Sequence, residues 1–365
     1  MINAQLNPER LKLARLRRKM TYIALAKATG LSSKSVAEYE KYESLFSPTP
    51  QTVALLAEKL NYPESFFYGD DIDCVSPSSV SFRSTKSLKA ADQHAAEAAA
   101  TLGLLINEYF ENHFNLPASN LPNYRDFEPE AAAEAIREEW GLGVKSISNM
   151  IHLLEVNGIR VFSLAENTLD VDAFSFWKNN TAYIFLNTQK TGERSRFDAA
   201  HELGHLLLHR HGTPQGKDLE EEADEFASAL LMPRRAIIAT KMGFPTLDGI
   251  IALKGNWKVS AVALIVRMKN VGILSEWQYR TLMVEATRKG LRVSEINGVE
   301  RERSMIIEKI LNALKKDNVS LYDISKKLSL PVEELSNLLF RFALLQGGTG
   351  GFQSSTKTKP TLRLV

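Results

Sequence analysis

Cysteine is nearly absent: 365 residues carry one, Cys74. No intramolecular disulfide and no thiolate metal cluster can be built from it, and a reducing compartment suits such a chain. No run of about 18 apolar residues occurs, so a membrane-spanning helix is not expected. The opening MINAQLNPERLK has no apolar stretch and no cleavage site. A secretory leader is therefore not expected, and a cytoplasmic location is. Charge of one sign is missing as well: 45 Lys and Arg against 43 Asp and Glu leave +2, which says nothing about partners. Histidine is scarce, seven in all, yet His201, His205, His209 and His211 all fall within RSRFDAAHELGHLLLHRHG, residues 194–212.

The length exceeds one ordinary core, so two or three domains are expected, without internal repeats. Residues 1–69 are dense in helix signals. Residues 70–88 are rich in Ser, Asp and Pro and read as a linker, with a short strand at Val80–Arg83. Residues 89–113 are Ala-rich and predict a long helix. Two further helices are expected at Glu130–Trp140, stopped by Gly141, and at Ser146–Asn157, stopped by Gly158. The period then changes. Ile159–Leu164, Ala173–Trp177 and Thr181–Asn187 are short and rich in β-branched and aromatic residues, with a turn at Lys178-Asn179-Asn180, and predict a small antiparallel sheet. Helices resume after Glu193 and run to about Gln346. The remaining Gly/Ser/Thr-rich tail, 346–365, reads as mobile.

Ser195 followed by Asp198 suggests a helix start, and Gly212 a stop. Projected at about 100° per residue, Asp198, His201, Glu202, His205 and His209 share one arc, and apolar residues cover the rest. A helix apolar nearly all round is buried, and a buried polar stripe is costly unless compensated. A metal ion compensates it. His201 and His205 are one turn apart, so both imidazoles can reach one zinc. Glu202 lies beside them as a base without being a ligand. This is H-E-x-x-H, the zincin motif. A zinc site needs a third protein ligand. His209 lies about 12 Å from His201 along a straight helix and cannot supply it. His211 reads as a solvent-facing or loop residue. In DLEEEADEFASALLMP, a helix ended near Pro233, Glu220 sits inside the apolar arc with Asp224 one turn on. Glu220 is the expected third ligand and Asp224 the acceptor that fixes one histidine ring. Glu221 is the rival if the helix phase is off by one. Tyr183 and His209 are open candidates for the group that stabilises the oxyanion.

These residues resemble the ImmA/IrrE family of zinc metallopeptidases: RFDAAHELGHLLLH, then EEEADEFASALLMP, with Leu230–Pro233 as its LLMP. The resemblance covers roughly residues 80–345. It implies His201, His205 and Glu220 as ligands of one zinc per chain, Glu202 as catalytic base, and cleavage of a protein partner, often a DNA-binding repressor.

The first segment tells a second story. MTYIALAKATGLSSKSVAEYEK places Gly30 at a tight inter-helix turn, with Thr21 and Ser32 as caps. Arg10–Lys19 holds six basic residues, and residues 1–69 carry ten Lys/Arg against six Asp/Glu, a local +4. Phosphate contacts need such charge. The segment resembles an XRE/Cro-type helix-turn-helix of five helices through Thr21, Leu25, Ala26, Gly30, Ser32, Val36, Tyr39, Glu40 and TVALLAEKLNYPESFF. Ser33–Tyr39 is the expected recognition helix. Arg17, Arg18, Lys19, Ser33 and Lys34 are the expected DNA contacts. Tyr22 stands where that family usually has a Gln on phosphate, and Ala37 is small for a base reader. A homodimer is a family-level expectation. Residues 318–340 also read as helix-turn-helix, with Ser320 and Ser329 at starts and Pro331 in a first turn, but are weakly basic and suit packing or docking.

The expected protein is mainly α with a small antiparallel sheet, an α+β chain. Residues 1–69 form a DNA-binding domain and 70–88 a linker. Residues 89–270 form a zincin-like, gluzincin-type peptidase domain, 271–345 a C-terminal helical module and 346–365 a tail. The expected activity is that of a DNA-tethered zinc endopeptidase, acting in gene regulation or a stress or phage-type response. The alternative is a non-cleaving XRE-family regulator or antitoxin whose peptidase-like domain is a sensor or docking module.

Overall fold

A computed structural model describes residues 5–44, 46–75, 81–83, 89–164, 171–210, 217–240 and 243–341. The expected tail at 346–365, much of the 70–88 linker, His211 and the Gly212 stop lie outside the described residues.

Four helices open the chain: α1 (Pro8–Arg17), α2 (Tyr22–Thr29), α3 (Ser33–Tyr39) and α4 (Pro50–Leu60). Each begins where a side chain closes an orphan amide. Asn7, Thr21, Ser32 and Thr49 all accept from a first-turn N–H. Gly30 ends α2 at φ +72°, the left-handed turn that hands the chain to α3. The fifth element of this module is a 3-10 turn, Glu64–Tyr68, whose Phe66 and Phe67 plug the core formed by Leu11, Leu25, Val36 and Leu56.

The long α5 (Ala90–His113) follows, then α6 (Pro129–Glu139) and α7 (Met150–Val156). α7 starts later than the expected Ser146. Asn149 caps it, and the Ile147 carbonyl accepts instead from Arg196. The strands are β1 (Ser81–Arg83), β2 (Arg160–Leu164), β3 (Ala173–Lys178) and β4 (Thr181–Asn187), in the spatial order β1-β3-β4-β2. β3 and β4 form a tight hairpin, with Lys178 opposite Thr181 and both Asn179 and Asn180 at positive φ. That is the two-residue turn that matches strand twist.

The expectation of a wholly antiparallel sheet is corrected at one pairing: β2 runs parallel to β4. Strand directions alternate over β2, β3 and β4, while β1 runs the same way as β2. β4, whose residues Ala182–Asn187 are all buried, takes the centre and separates β2 from β3. One sheet face carries Phe162, Phe174, Phe176, Tyr183 and Phe185 in stacked contact, Phe174 to Phe185 at 4.8 Å. α5 lies against it so closely that a Cβ at Gly103 would sit 2.5 Å from the Phe185 ring. The other face carries Ser175 and Trp177 toward α8 (Gly192–Leu208).

α8 starts a turn before the expected Ser195, capped by Thr191. α9 (Lys217–Leu231) packs along it. Among the described residues seven more helices follow: α10 (Arg234–Ala239), α11 (Leu247–Trp257), α12 (Ala261–Asn270), α13 (Glu276–Arg288), α14 (Met305–Lys316), α15 (Leu321–Leu328) and α16 (Val332–Leu338). Ser320 caps α15 in a reciprocal box, but Ser329 is the left-handed end of α15, not a start. Among the described residues no single helix is long and apolar enough to cross a membrane.

Candidate metal centre and helix-turn-helix face

α8 is buried along its whole length from Ser195 to Leu208 except at half-buried Phe197. Its His201 and His205, one turn apart, bring their Nε2 atoms to 3.0 Å of each other. α9 comes alongside because α8 offers Gly204 at the crossing. A Cβ there would stand 3.0 Å from Phe226 and 3.3 Å from the Ala223 backbone. This approach sets Glu220 against both rings, Oε1 3.2 Å from His205 Nε2 and Oε2 3.4 Å from His201 Nε2. His201, His205 and Glu220 thus offer three ligand atoms around one point. Glu221, the rival, is exposed.

The donor set suits a divalent ion. Zinc–nitrogen bonds of about 2.0–2.1 Å at tetrahedral angles put ligand atoms about 3.3 Å apart, close to the spacings found. The opposite nitrogen of each ring is engaged: His201 Nδ1 with Asp224 at 2.8 Å and His205 Nδ1 with His209 Nδ1 at 2.9 Å. If both Nδ1 atoms carry protons, two lone pairs and a carboxylate converge, and such a group of acceptors calls for a cation. Burial chiefly pushes the His205 imidazole down to about 4, Glu220 pulling the other way, so the ring is a neutral donor at neutral pH. For Glu220, burial alone would raise the carboxyl. Its contacts with both histidines outweigh this and hold Glu220 well below the usual carboxylate range.

Glu202, between the two histidines in sequence, is wholly buried, and its carboxylate accepts a 2.6 Å hydrogen bond from Ser175 Oγ on β3. Ser175 escaped the sequence reading. A serine in an alternating strand carries no sign that its face looks onto a distant helix. Tyr183, one oxyanion candidate, is displaced from that role: its hydroxyl accepts from Asn107 of α5, on the far face of the sheet. The other candidate, His209, ends α8 and reaches Glu222 on α9 at 2.8 Å.

In the first module Ser33 and Lys34 are exposed at the start of α3. Arg17, Arg18 and Lys19, also expected at phosphate, make ion pairs within the protein. Arg17 and Arg18 bind the two oxygens of Glu334 on α16 at 2.6 and 2.7 Å, with the Arg17 side chain 3% exposed and that of Glu334 1%. Lys19 pairs with Asp92 at the start of α5 at 2.6 Å. Arg15 makes a two-pronged pair with Glu40 and stacks over Tyr22. Most of the basic run of α1 therefore serves folding and docking.

Fold and site put in one chain a helix-turn-helix module and an H-E-x-x-H helix whose histidines meet a carboxylate of the next helix. Comparison with family models agrees with both halves. Residues 11–67 match the helix-turn-helix model and residues 154–269 the IrrE N-terminal-like domain of peptidase family M78. Together the two matches fit the description of an ImmA/IrrE-type protein with an N-terminal XRE-type helix-turn-helix. No curated protein matches it.

Proposed function

We propose that this chain is a zinc-dependent endopeptidase held at DNA by residues 1–69, and that it cleaves a protein partner such as a repressor. Residues 89–270 form the peptidase domain and 271–345 a helical module. One observation carries the reading: His201, His205 and Glu220 converge beside a buried Glu202. One zinc per chain fits this donor set. When bound there, it supplies Lewis acidity, polarising a scissile carbonyl and acidifying water. Glu202 takes a proton from the attacking water and delivers it to the leaving amine. Ser175 orients the Glu202 carboxylate by donating to one oxygen. Attachment to DNA raises the local concentration of peptidase around a DNA-bound substrate.

A second reading has an observation of its own. The buried contact of Arg17 and Arg18 with Glu334 couples the first helix to the C-terminal helices, as a non-cleaving regulator or antitoxin would need. Comparative proteomics of cells expressing the wild type or Glu202→Gln decides between them. Loss of specific cleavage products in the variant supports the peptidase. Survival of the cellular phenotype in Glu202→Gln sinks it.

A further inference from the structure

The two histidines of the centre are held by different means. His201 Nδ1 faces a carboxylate directly, Asp224 at 2.8 Å. His205 Nδ1 faces another imidazole, His209 Nδ1 at 2.9 Å, and that ring reaches Glu222 through its Nε2 at 2.8 Å. We propose that His209, backed by Glu222, is the positioning residue that fixes the tautomer and orientation of His205 as a metal ligand. This rests on the metal reading above and deepens it.

Proton bookkeeping gives the chain its direction. Glu222, as a carboxylate, only accepts, so His209 Nε2 carries the proton of that bond. With its single ring proton on Nε2, His209 has a lone pair on Nδ1. The 2.9 Å contact is satisfied only if His205 Nδ1 carries the proton. That leaves the His205 lone pair on Nε2, facing Glu220 and His201. One carboxylate at the end of the chain thus sets the tautomer of two rings. The geometry is built for it. His209 lies one turn beyond His205, so their side chains share a face. Its amide still bonds to the His205 carbonyl, and its side chain is 6% exposed. α9 therefore supplies the third ligand, Glu220, and both carboxylates that steady the rings, while α8 supplies the rings. His209 is excluded as a ligand by its distance along α8, yet belongs to the centre.

The test is zinc affinity of the full chain by competition with a chromophoric chelator, read beside the visible spectrum of the cobalt-loaded protein. His209→Phe keeps a ring without an acceptor, and His209→Gly leaves a space at the helix end. Both are expected to weaken zinc about 10- to 100-fold and to shift the cobalt bands. Added imidazole is expected to restore affinity in His209→Gly and not in His209→Phe. A purely structural role for His209 would not respond to imidazole in this way. Should His209→Phe fail to fold, Glu222→Ala, at a half-exposed position, reads the same chain and is expected to weaken zinc as well. Variants that bind zinc as tightly as the wild type, or weakened binding that imidazole leaves unchanged, overturn the proposal. A wild-type chain that takes up no zinc removes the metal reading itself, a result distinct from either.

Discussion

At the scale of single residues, the centre depends on a few atoms whose neighbours are specific. Glu202→Gln preserves the volume and the contact with Ser175 but removes the base. It is expected to keep zinc and lower cleavage about 10²- to 10⁴-fold, checked by metal analysis and peptide turnover on one preparation. On the helix-turn-helix side, Lys34 is exposed at the start of α3. Lys34→Ala is expected to lower the slope of log affinity against log salt by about one, measured by titration with duplex DNA at several salt concentrations. An unchanged slope would remove Lys34 from the phosphate contacts. His201, Glu202 and His205 were legible because helical spacing is local: one turn brings two rings together whatever the rest of the chain does. Glu220 was legible through its helix phase. Ser175 and the His209–Glu222 chain were not, since each contact joins elements whose relative placement no local pattern encodes.

At the scale of elements, two glycines set how closely layers approach. Gly103 brings α5 onto the phenylalanine face of the sheet, and Gly204 brings α9 onto α8. Gly103→Val puts its Cβ 2.5 Å from the Phe185 ring, closer than van der Waals contact allows, and is expected to cost about 1–3 kcal/mol of stability or more, read by urea denaturation. Gly204→Val is expected to push α9 away by pressing on Phe226 and Ala223. Its sensitive readout is zinc affinity, expected to fall by more than the loss of global stability would suggest. Tight zinc binding in Gly204→Val would mean that α9 does not need this approach to deliver Glu220. Strand identities were readable from alternation and aromatic content, and the hairpin from Asn179-Asn180. Strand order was not: alternation gives only the face each residue takes, whereas the central place of β4 follows from burying both of its faces at once.

At the scale of the whole molecule, the decisive contact is that of Arg17 and Arg18 with Glu334, bridging residues more than 300 positions apart. Ser163 of β2 adds a second tie, donating to the Asn337 carbonyl of α16 and accepting from the Phe340 amide. Burial alone would raise the Glu334 carboxyl, but the two arginine charges outweigh it and hold it below its ordinary value of 4.5. A depressed carboxyl stabilises fully above the unfolded value and loses that contribution as pH falls through the folded one. Wild-type stability is therefore expected to drop from about pH 5 downward more steeply than that of Glu334→Ala. At neutral pH the variant should be about 3–5 kcal/mol less stable, since it strands buried arginine charge. Thermal melts of both proteins across this range check it, and parallel pH profiles would show that the pair carries no such role. By itself the sequence determined the helix-turn-helix, the small sheet and the paired histidines, because caps, turns and periodicity act over a few residues. Only the tertiary structure decided that the basic end of α1 is spent on α16 and α5, that β4 is central, and that His209 and Glu222 back His205. Those outcomes depend on burying charge and apolar faces against partners far along the chain, and that balance is struck only when the layers close.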